Sequence, residues 1–404
     1  MTTDDMNGPL HGLKVVEHAR GVAAAYAGRL LAAMGAEVVM VEPPEGTPLR
    51  REPPFLDTEE EWSALFTYLA AGKDSVVADL AGASGHATLT ALLDAADIFI
   101  DDTPLAERDA LWLGAATLAA AHPRLIHTSV LPFGATGPKA GWAGEEINLI
   151  HASGEGYLLP NGLTADLFPD RPPLKIAGHF AEMQGGVTAV FAALSALWAG
   201  GGAGATGGGR TVDVSVQDAN VAIGAFAVQR YGDGSIEHRH ERKFRYGGVI
   251  ECADGYVELL TLEERQWDGL VELMGRPAWA NDPAMASAAS RSAAGETINA
   301  HIRTFAAGER AADLVARAQR LGVPMAPYNT PDGVLADPHV AARGLFAPVD
   351  VPGVGALPIQ AAPFRFGPAP LAAPHGPPQL GAATSRLAAT ATAIAAADAR
   401  KVTA

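Results

Sequence analysis

Glu182 is the side chain in this sequence best placed for carboxylate chemistry. It stands in Phe180-Ala-Glu-Met-Gln-Gly-Gly186, where a run of strong helix formers from Ala181 to Trp198 begins. A carboxylate in the first turn of a helix meets unpaired backbone N–H groups and a dipole that favours negative charge. Glu182 is either a working group or an ordinary first-turn carboxylate. Arg20, in His18-Ala-Arg-Gly-Val-Ala23, follows the first strand and precedes a helix. There it either holds an anion at the helix N-terminus or is a surface arginine. Other chemistries lack their residues. The twelve histidines are scattered without H-E-x-x-H or comparable metal spacing, and no G-x-S-x-G elbow occurs. No G-x-G-x-x-G follows the first strand, and Thr206-Gly-Gly-Gly-Arg-Thr211 lacks the lysine and helix of a phosphate loop. The one cysteine, Cys252, excludes an internal disulfide and reads as a small residue in or near a strand. No metal site is expected. Spacing alone names no reaction.

The elements that must position these groups follow from hydrophobic period. The Ala181–Trp198 run is apolar on most faces and reads as a core helix; Glu182, Gln184 and Thr188 leave it short of an uninterrupted membrane span. Glycines from Gly200 to Gly209 end it, and Thr211–Val216 alternates as a strand with one buried face. Upstream, strands are predicted at Leu13–Val16, Glu37–Val41, Asp74–Leu80, Asp97–Ile100 and Arg124–Val130. Helices are predicted at Ala23–Met34, Glu59–Leu69, Ala87–Ala95, Leu111–Ala121 and Glu145–Ser153. That alternation argues for an α/β fold with a parallel sheet covered on both faces.

After a helix at Ala219–Tyr231, the polar stretch Gly232–Arg245 reads as a linker. Gly248–Cys252 and Tyr256–Thr261 flank a hairpin turn, and helices at Glu264–Met274, Ala294–Arg303 and Ala311–Arg320 complete a smaller α+β domain. Strand returns at Val323–Pro327 and Val349–Ile359, and the tail from Ala382 is predicted helical. The predicted organisation is a large domain at 1–231, a linker and small domain at 232–329, and a return to the large domain at 330–404. A chain of 404 residues fits such a division. The formal net charge of −16 argues against nucleic acid or an anionic membrane as partner. It also requires any phosphate ligand to find local basic residues. The acidic start MTTDDMNG has no apolar core of a secretory signal, so a cytoplasmic location is expected.

An ordered set of short motifs spans nearly the whole chain. It runs through Leu10-His-Gly-Leu-Lys-Val-Val16, Gly35-Ala-Glu-Val-Val-Met-Val-Glu-Pro43, Asp74-Ser-Val-Val-Ala-Asp-Leu80, Ala96-Asp-Ile98 and His122-Pro-Arg-Leu-Ile126. It continues with Phe133-Gly-Ala-Thr-Gly-Pro138, the stretch Thr206–Ala219, Asp254-Gly-Tyr256, Gly322-Val-Pro-Met-Ala-Pro327 and Asp337–Phe346. In this order the sequence resembles the family III CoA-transferases, which share their fold with α-methylacyl-CoA racemase. The resemblance implies a Rossmann-like parallel-sheet large domain, a smaller α+β domain and an interlocked dimer. It also implies acyl-CoA and a small carboxylic acid as substrates, with no tightly bound cofactor.

By the same resemblance Glu182 takes the place of a catalytic aspartate that attacks the thioester, forms a mixed anhydride and then carries CoA as an enzyme thioester. The extra methylene displaces its oxygens by roughly 1 Å, a shift that can cost about 100-fold in rate. Arg20, Lys73, Arg108 and Lys139 fall where phosphates of CoA would be met, with Gly21, Val22 and Ala23 beside the nucleotide. Met40 stands where a lysine is common, and Asp101-Asp-Thr103 replaces an Asn-Phe type stretch. Two other readings accompany the transferase. One is a non-catalytic subunit that pairs with a paralogous, Asp-bearing chain instead of forming a homodimer. The other is an acyl-CoA racemase or epimerase in which Glu145, at the racemase histidine position, works opposite Glu182, with Glu263 matching a further racemase carboxylate.

Overall fold

The computed structural model describes residues 8–59, 61–158, 174–202, 208–224, 246–366, 371 and 373–387. The expected linker at 232–245, the continuation of the preceding helix from 225, and most of the tail from 382 lie outside the described residues. The chain divides into two compact units. One comprises Met1–Glu155, Lys175–Ala225 and His339–Ala404; the other comprises Gly156–Leu174 and Phe226–Pro338.

The first unit is built on six parallel strands: β1 (Lys14–His18), β2 (Glu37–Glu42), β3 (Lys73–Val77), β4 (Ile98–Asp101), β5 (Ile126–Leu131) and β6 (Arg210–Ser215). Their order is β3-β2-β1-β4-β5-β6. β4 and β5 are buried along their whole length, because a parallel strand covered on both faces needs apolar residues on both. Within β4 the pleat sends Ile98 and Ile100 into one core with Leu31, Val38 and Ala189. Phe99 points to the opposite core with Val16, Leu93 and Leu118. β6 lies at the sheet edge, and only Val214 of it is buried.

The helices of this unit include α1 (Val22–Ala33), α2 (Ala64–Ala70), α3 (Ala83–Asp94), α4 (Leu105–Arg108), α5 (Ala115–Ala121), α6 (Glu146–Ala152), α7 (Phe180–Ala199) and α8 (Val216–Ile223). α2 begins five residues later than the predicted Glu59, because Ser63 caps it by accepting a hydrogen bond from the Phe66 N–H. Val216, predicted to end a strand, instead opens α8 under the Ser215 cap. α7 differs from expectation in its burial. Its inner face packs through Ala181, Gly185, Gly186, Ala189, Val190 and Ala193, but Phe191 is 74% and Trp198 is 85% exposed. The apolar character all round the helix reflects a second, outward stripe with Val187, not burial on every side. By length and composition α7 would also suffice to cross a membrane. Its inner glycines and its packing on the sheet make it part of the domain core. An antiparallel hairpin of β10 (Phe346–Val351) and β11 (Gly355–Gln360) completes the unit, tied to α1 by the Arg29 guanidinium donating to the Gln360 carbonyl.

The second unit holds an antiparallel sheet in the order β7-β8-β9, from Gly248–Cys252, Gly255–Leu259 and Met325–Pro327. Helices α9 (Glu264–Leu273), α10 (Ala288–Ala293), α11 (Gly295–Ala306) and α12 (Ala311–Arg320) cover it. Val257, Leu259, Leu270, Ile298, Ile302 and Leu314 form its core. Cys252 is buried in β7. Glu263 is the N-cap of α9 in a capping box with Gln266, and it also pairs with Arg265.

Candidate active site

In a parallel sheet, loops that leave neighbouring strands in opposite directions open a crevice at the carboxyl ends. Here that point lies between β1 and β4, and a cleft of about 610 Å³ stands over it. Arg20 and Gly21 from the β1–α1 loop and Val22 and Ala23 at the start of α1 line it, with Asp102 after β4, Leu131 at the end of β5, Pro132 after it, and Trp142 to Glu145. His179 and Glu182 at the start of α7 also line it. Glu182 comes this close to α1 because Gly185 and Gly186 follow it. A Cβ on Gly186 would sit 2.7 Å from the Ala23 carbonyl, and one on Gly185 would sit 2.7 Å from Val216 Cγ2. Two glycines thus let α7 contact α1 and α8 at once.

The surroundings of Glu182 are specific. Glu146 of α6 accepts hydrogen bonds from the Ala181 and Glu182 backbone N–H groups, both at 3.0 Å, so the free N–H groups expected to hold Glu182 are already taken. The Glu182 carboxylate turns back instead to His179, with Oε2 2.7 Å from Nδ1. Burial pushes the Glu182 carboxyl above its ordinary range. The His179 hydrogen bond and charge pull it back down, and the nearby Glu146 and Glu145 charges push it up again.

The remaining predicted residues separate into two groups. Arg20 is exposed at the mouth of the cleft, where Nη1 pairs with Glu107 at 2.7 Å. Glu145 is an exposed wall residue and the N-cap of α6, in a capping box with Asn148. Lys73 and Arg108, expected at phosphates, are internal. Lys73 is 1% exposed, and its Nζ donates to Glu17 Oε2 at 2.6 Å and to the Ala25 carbonyl at 2.7 Å. Arg108 is 5% exposed and donates to the Thr103 carbonyl and Ser129 Oγ, with Asp101 2.9 Å away. Neither side chain lines the cleft, because each neutralises a carboxylate buried within the sheet. Lys139 donates to Gln217 Oε1 at 3.3 Å and lies over the rings of Phe133 and Trp142, at 5.4 and 5.6 Å. It braces the Trp142 wall from behind. Among the described residues, Arg20 is then the one Lys or Arg lining the cleft, against Glu52, Asp102, Glu145 and Glu182.

Residues 10–384 match CoA-transferase family III. The chain belongs to that family. The succinate–glutarate CoA-transferase of Agrobacterium fabrum is 31% identical over 386 residues, covering 92% of this chain and 93% of that protein. The succinyl-CoA:mesaconate CoA-transferase of Haloarcula hispanica is 30% identical over 358 residues, covering 86% of this chain and 87% of the relative. Among solved structures, a CAIB/BAIF family protein from Brucella suis superimposes with a TM-score of 0.82 at 32% identity, covering 95% of this chain and all of that one.

Two residues of this family III CoA-transferase were not singled out from its sequence. His179 left a local signal: His-x-x-Glu across a helix start sets ring and carboxylate three residues apart on one side. Glu146 left none, since its partners lie 35 and 36 residues downstream. Both hold Glu182 in place, His179 at the Glu182 side chain and Glu146 at the Glu182 backbone N–H.

Proposed function

We propose that the chain moves CoA between an acyl-CoA donor and a small carboxylic acid, with Glu182 as the nucleophile. The observation that carries the reading is Glu182 itself: a carboxylate in the wall of a large cleft, held by a histidine, at the start of α7. One Glu182 oxygen attacks the thioester carbonyl; the C–S bond breaks, CoA leaves as thiolate and a mixed anhydride forms. The thiolate attacks the Glu182 carbonyl of that anhydride, which releases the donor acid as carboxylate and leaves a glutamyl–CoA thioester. The acceptor carboxylate attacks that thioester, expelling CoA thiolate and forming a second mixed anhydride, and the thiolate then attacks its acceptor carbonyl, so that the new acyl-CoA forms and Glu182 leaves as carboxylate. Glu182 is restored with no net proton consumed. Relatives named for succinate, glutarate and mesaconate support short dicarboxylic acids as donor and acceptor. Succinyl-CoA offered with a panel of such acids is the test: chromatography should reveal a second acyl-CoA. Loss of succinyl-CoA only to hydrolysis contradicts the reading.

His179 acts here as a positioning residue. It offsets the longer side chain of glutamate by fixing the carboxylate, and it lowers a pKa that burial has raised. The nucleophile must be ionised, so rate falls as pH drops through the Glu182 pKa. His179→Ala removes a lowering influence and moves that acid limb to higher pH. Turnover that falls most at the acid end and recovers as pH rises is the expected profile. An acid limb that stays where the wild type has it contradicts this.

The outward stripe of α7 supports a dimer, because exposed Val187, Phe191 and Trp198 form an apolar strip on one helix. A second copy of this chain is the occupant we favour. Light scattering should give a dimer for the wild type, and a monomeric wild type contradicts this arrangement. The expected cytoplasmic location and the absence of a tightly bound cofactor remain part of the reading.

A further inference from the structure

The mouth of the cleft is chemically odd for a CoA site. CoA carries its negative charge on phosphates, and the means of receiving one at this mouth are the Arg20 guanidinium and the backbone N–H groups that begin the twelve-residue helix α1. Carboxylates already hold the guanidinium and the N–H groups of Arg20 and of the N-cap Gly21, just ahead of the helix. Arg20 Nη1 donates to Glu107 at 2.7 Å. Asp102 takes the backbone: Oδ1 accepts from the Arg20 N–H at 2.9 Å, and Oδ2 accepts from the Arg20 and Gly21 N–H groups at 3.0 and 2.7 Å. Asp102 is itself a wall residue of the cleft.

We propose that Asp102 sets the affinity for the phosphate-bearing end of CoA, repelling it while ionised and admitting it with the uptake of one proton. This rests on the CoA-transferase reading. The geometry alone requires that a diphosphate reaching Arg20 stand beside the Asp102 carboxylate. The charged groups around Asp102 are Arg20 on its own hydrogen-bonded loop, Asp101 before it on β4, and Glu107 and Arg108 on α4. Glu52, Glu145 and the His179–Glu182 pair line the same cleft. Asp101 and Arg108 neutralise each other in the sheet, and Arg20 is shared with Glu107. Among the described residues Asp102 therefore has backbone donors and no guanidinium or ammonium bonded to it. Burial pushes its carboxyl up to about 7; the two backbone donors hold it lower than burial alone would, and the Asp101 charge pushes it higher. Both charge states are thus within reach near neutral pH. An anion bound alongside favours the protonated one, so affinity rises as pH falls.

Calorimetric titration at pH 6.5 and 8.5 decides this, with dephospho-CoA as probe because its diphosphate keeps a fixed charge across that range. Pantetheine, which has no phosphate, is the control. Wild type should bind dephospho-CoA about tenfold more tightly at pH 6.5, the order expected of one nearby unit charge. Asp102→Asn should bind at both pH values with the affinity that wild type reaches only at pH 6.5, and pantetheine should be indifferent to pH in both proteins. Equal wild-type affinity for dephospho-CoA at the two pH values overturns the inference even if the variant fails to fold, and so does a variant that keeps the full pH dependence. If wild type binds dephospho-CoA with flat pH dependence, only this inference falls. If it binds neither dephospho-CoA nor CoA at any pH, the CoA-transferase reading falls and the inference with it.

Discussion

Glu182→Gln lowers CoA transfer by about 10³-fold or more, the scale of removing an attacking nucleophile. The substitution preserves side-chain length and an oxygen that can face His179, so packing at the start of α7 is retained. What it removes is the ionised oxygen that attacks the thioester. Because α7 is tied down by Glu146 at the Ala181 and Glu182 N–H groups and by Asn220 Nδ2 at the Ala181 carbonyl, the backbone there does not depend on the Glu182 carboxylate. The variant should keep wild-type affinity for CoA and wild-type melting behaviour while losing turnover. Steady-state rates with calorimetry on the same samples separate the two quantities. Turnover within tenfold of wild type would assign the nucleophile elsewhere.

Lys73→Met destabilises the fold by about 3–5 kcal/mol at pH 8, because it strips the cation from a buried carboxylate. Glu17 is 2% exposed, and its Oε2 would be 1.7 Å from a Cβ on Gly28, so the carboxylate is packed against α1 away from solvent. Burial already pushes the Glu17 carboxyl above its ordinary range, with the Lys73 charge and hydrogen bond opposing. In the variant that opposition is gone and the folded pKa rises further above the unfolded one. Such a group favours the folded state below its unfolded pKa and loses that contribution as pH climbs. The deficit against wild type is therefore largest at pH 8 and shrinks toward pH 5. Urea unfolding at the two pH values measures it; a loss below about 1 kcal/mol at pH 8 would mean the pair is not the internal brace described here.

The same lysine marks where the sequence stops being readable. The strands could be placed because β4 and β5 are short apolar runs between turn residues, a pattern that survives without knowledge of neighbours. Lys73 and Arg108 could not, since a basic residue at a strand or helix end looks alike whether it meets a ligand or a buried acid. Glu17 lies 56 residues from Lys73, beyond any local period. α7 was legible as a core helix apolar on most faces, but composition cannot say which face meets the sheet, and Phe191 and Trp198 point outward. Glu182 and Arg20 were legible because each depends on local features, a helix start and a strand end. Their relationship to Asp102, Glu146 and the cleft depends on the order β3-β2-β1-β4-β5-β6, which no stretch of the chain states by itself.

The most direct test of the account is the chemical state of Glu182 during turnover. The protein is incubated with succinyl-CoA, treated with borohydride, digested and examined by mass spectrometry. A glutamyl–CoA thioester is reduced to a primary alcohol, so the peptide containing Glu182 should carry that alcohol, and Glu145 and Glu146 should remain carboxylic acids. An unmodified Glu182 in protein that is transferring CoA would contradict the account.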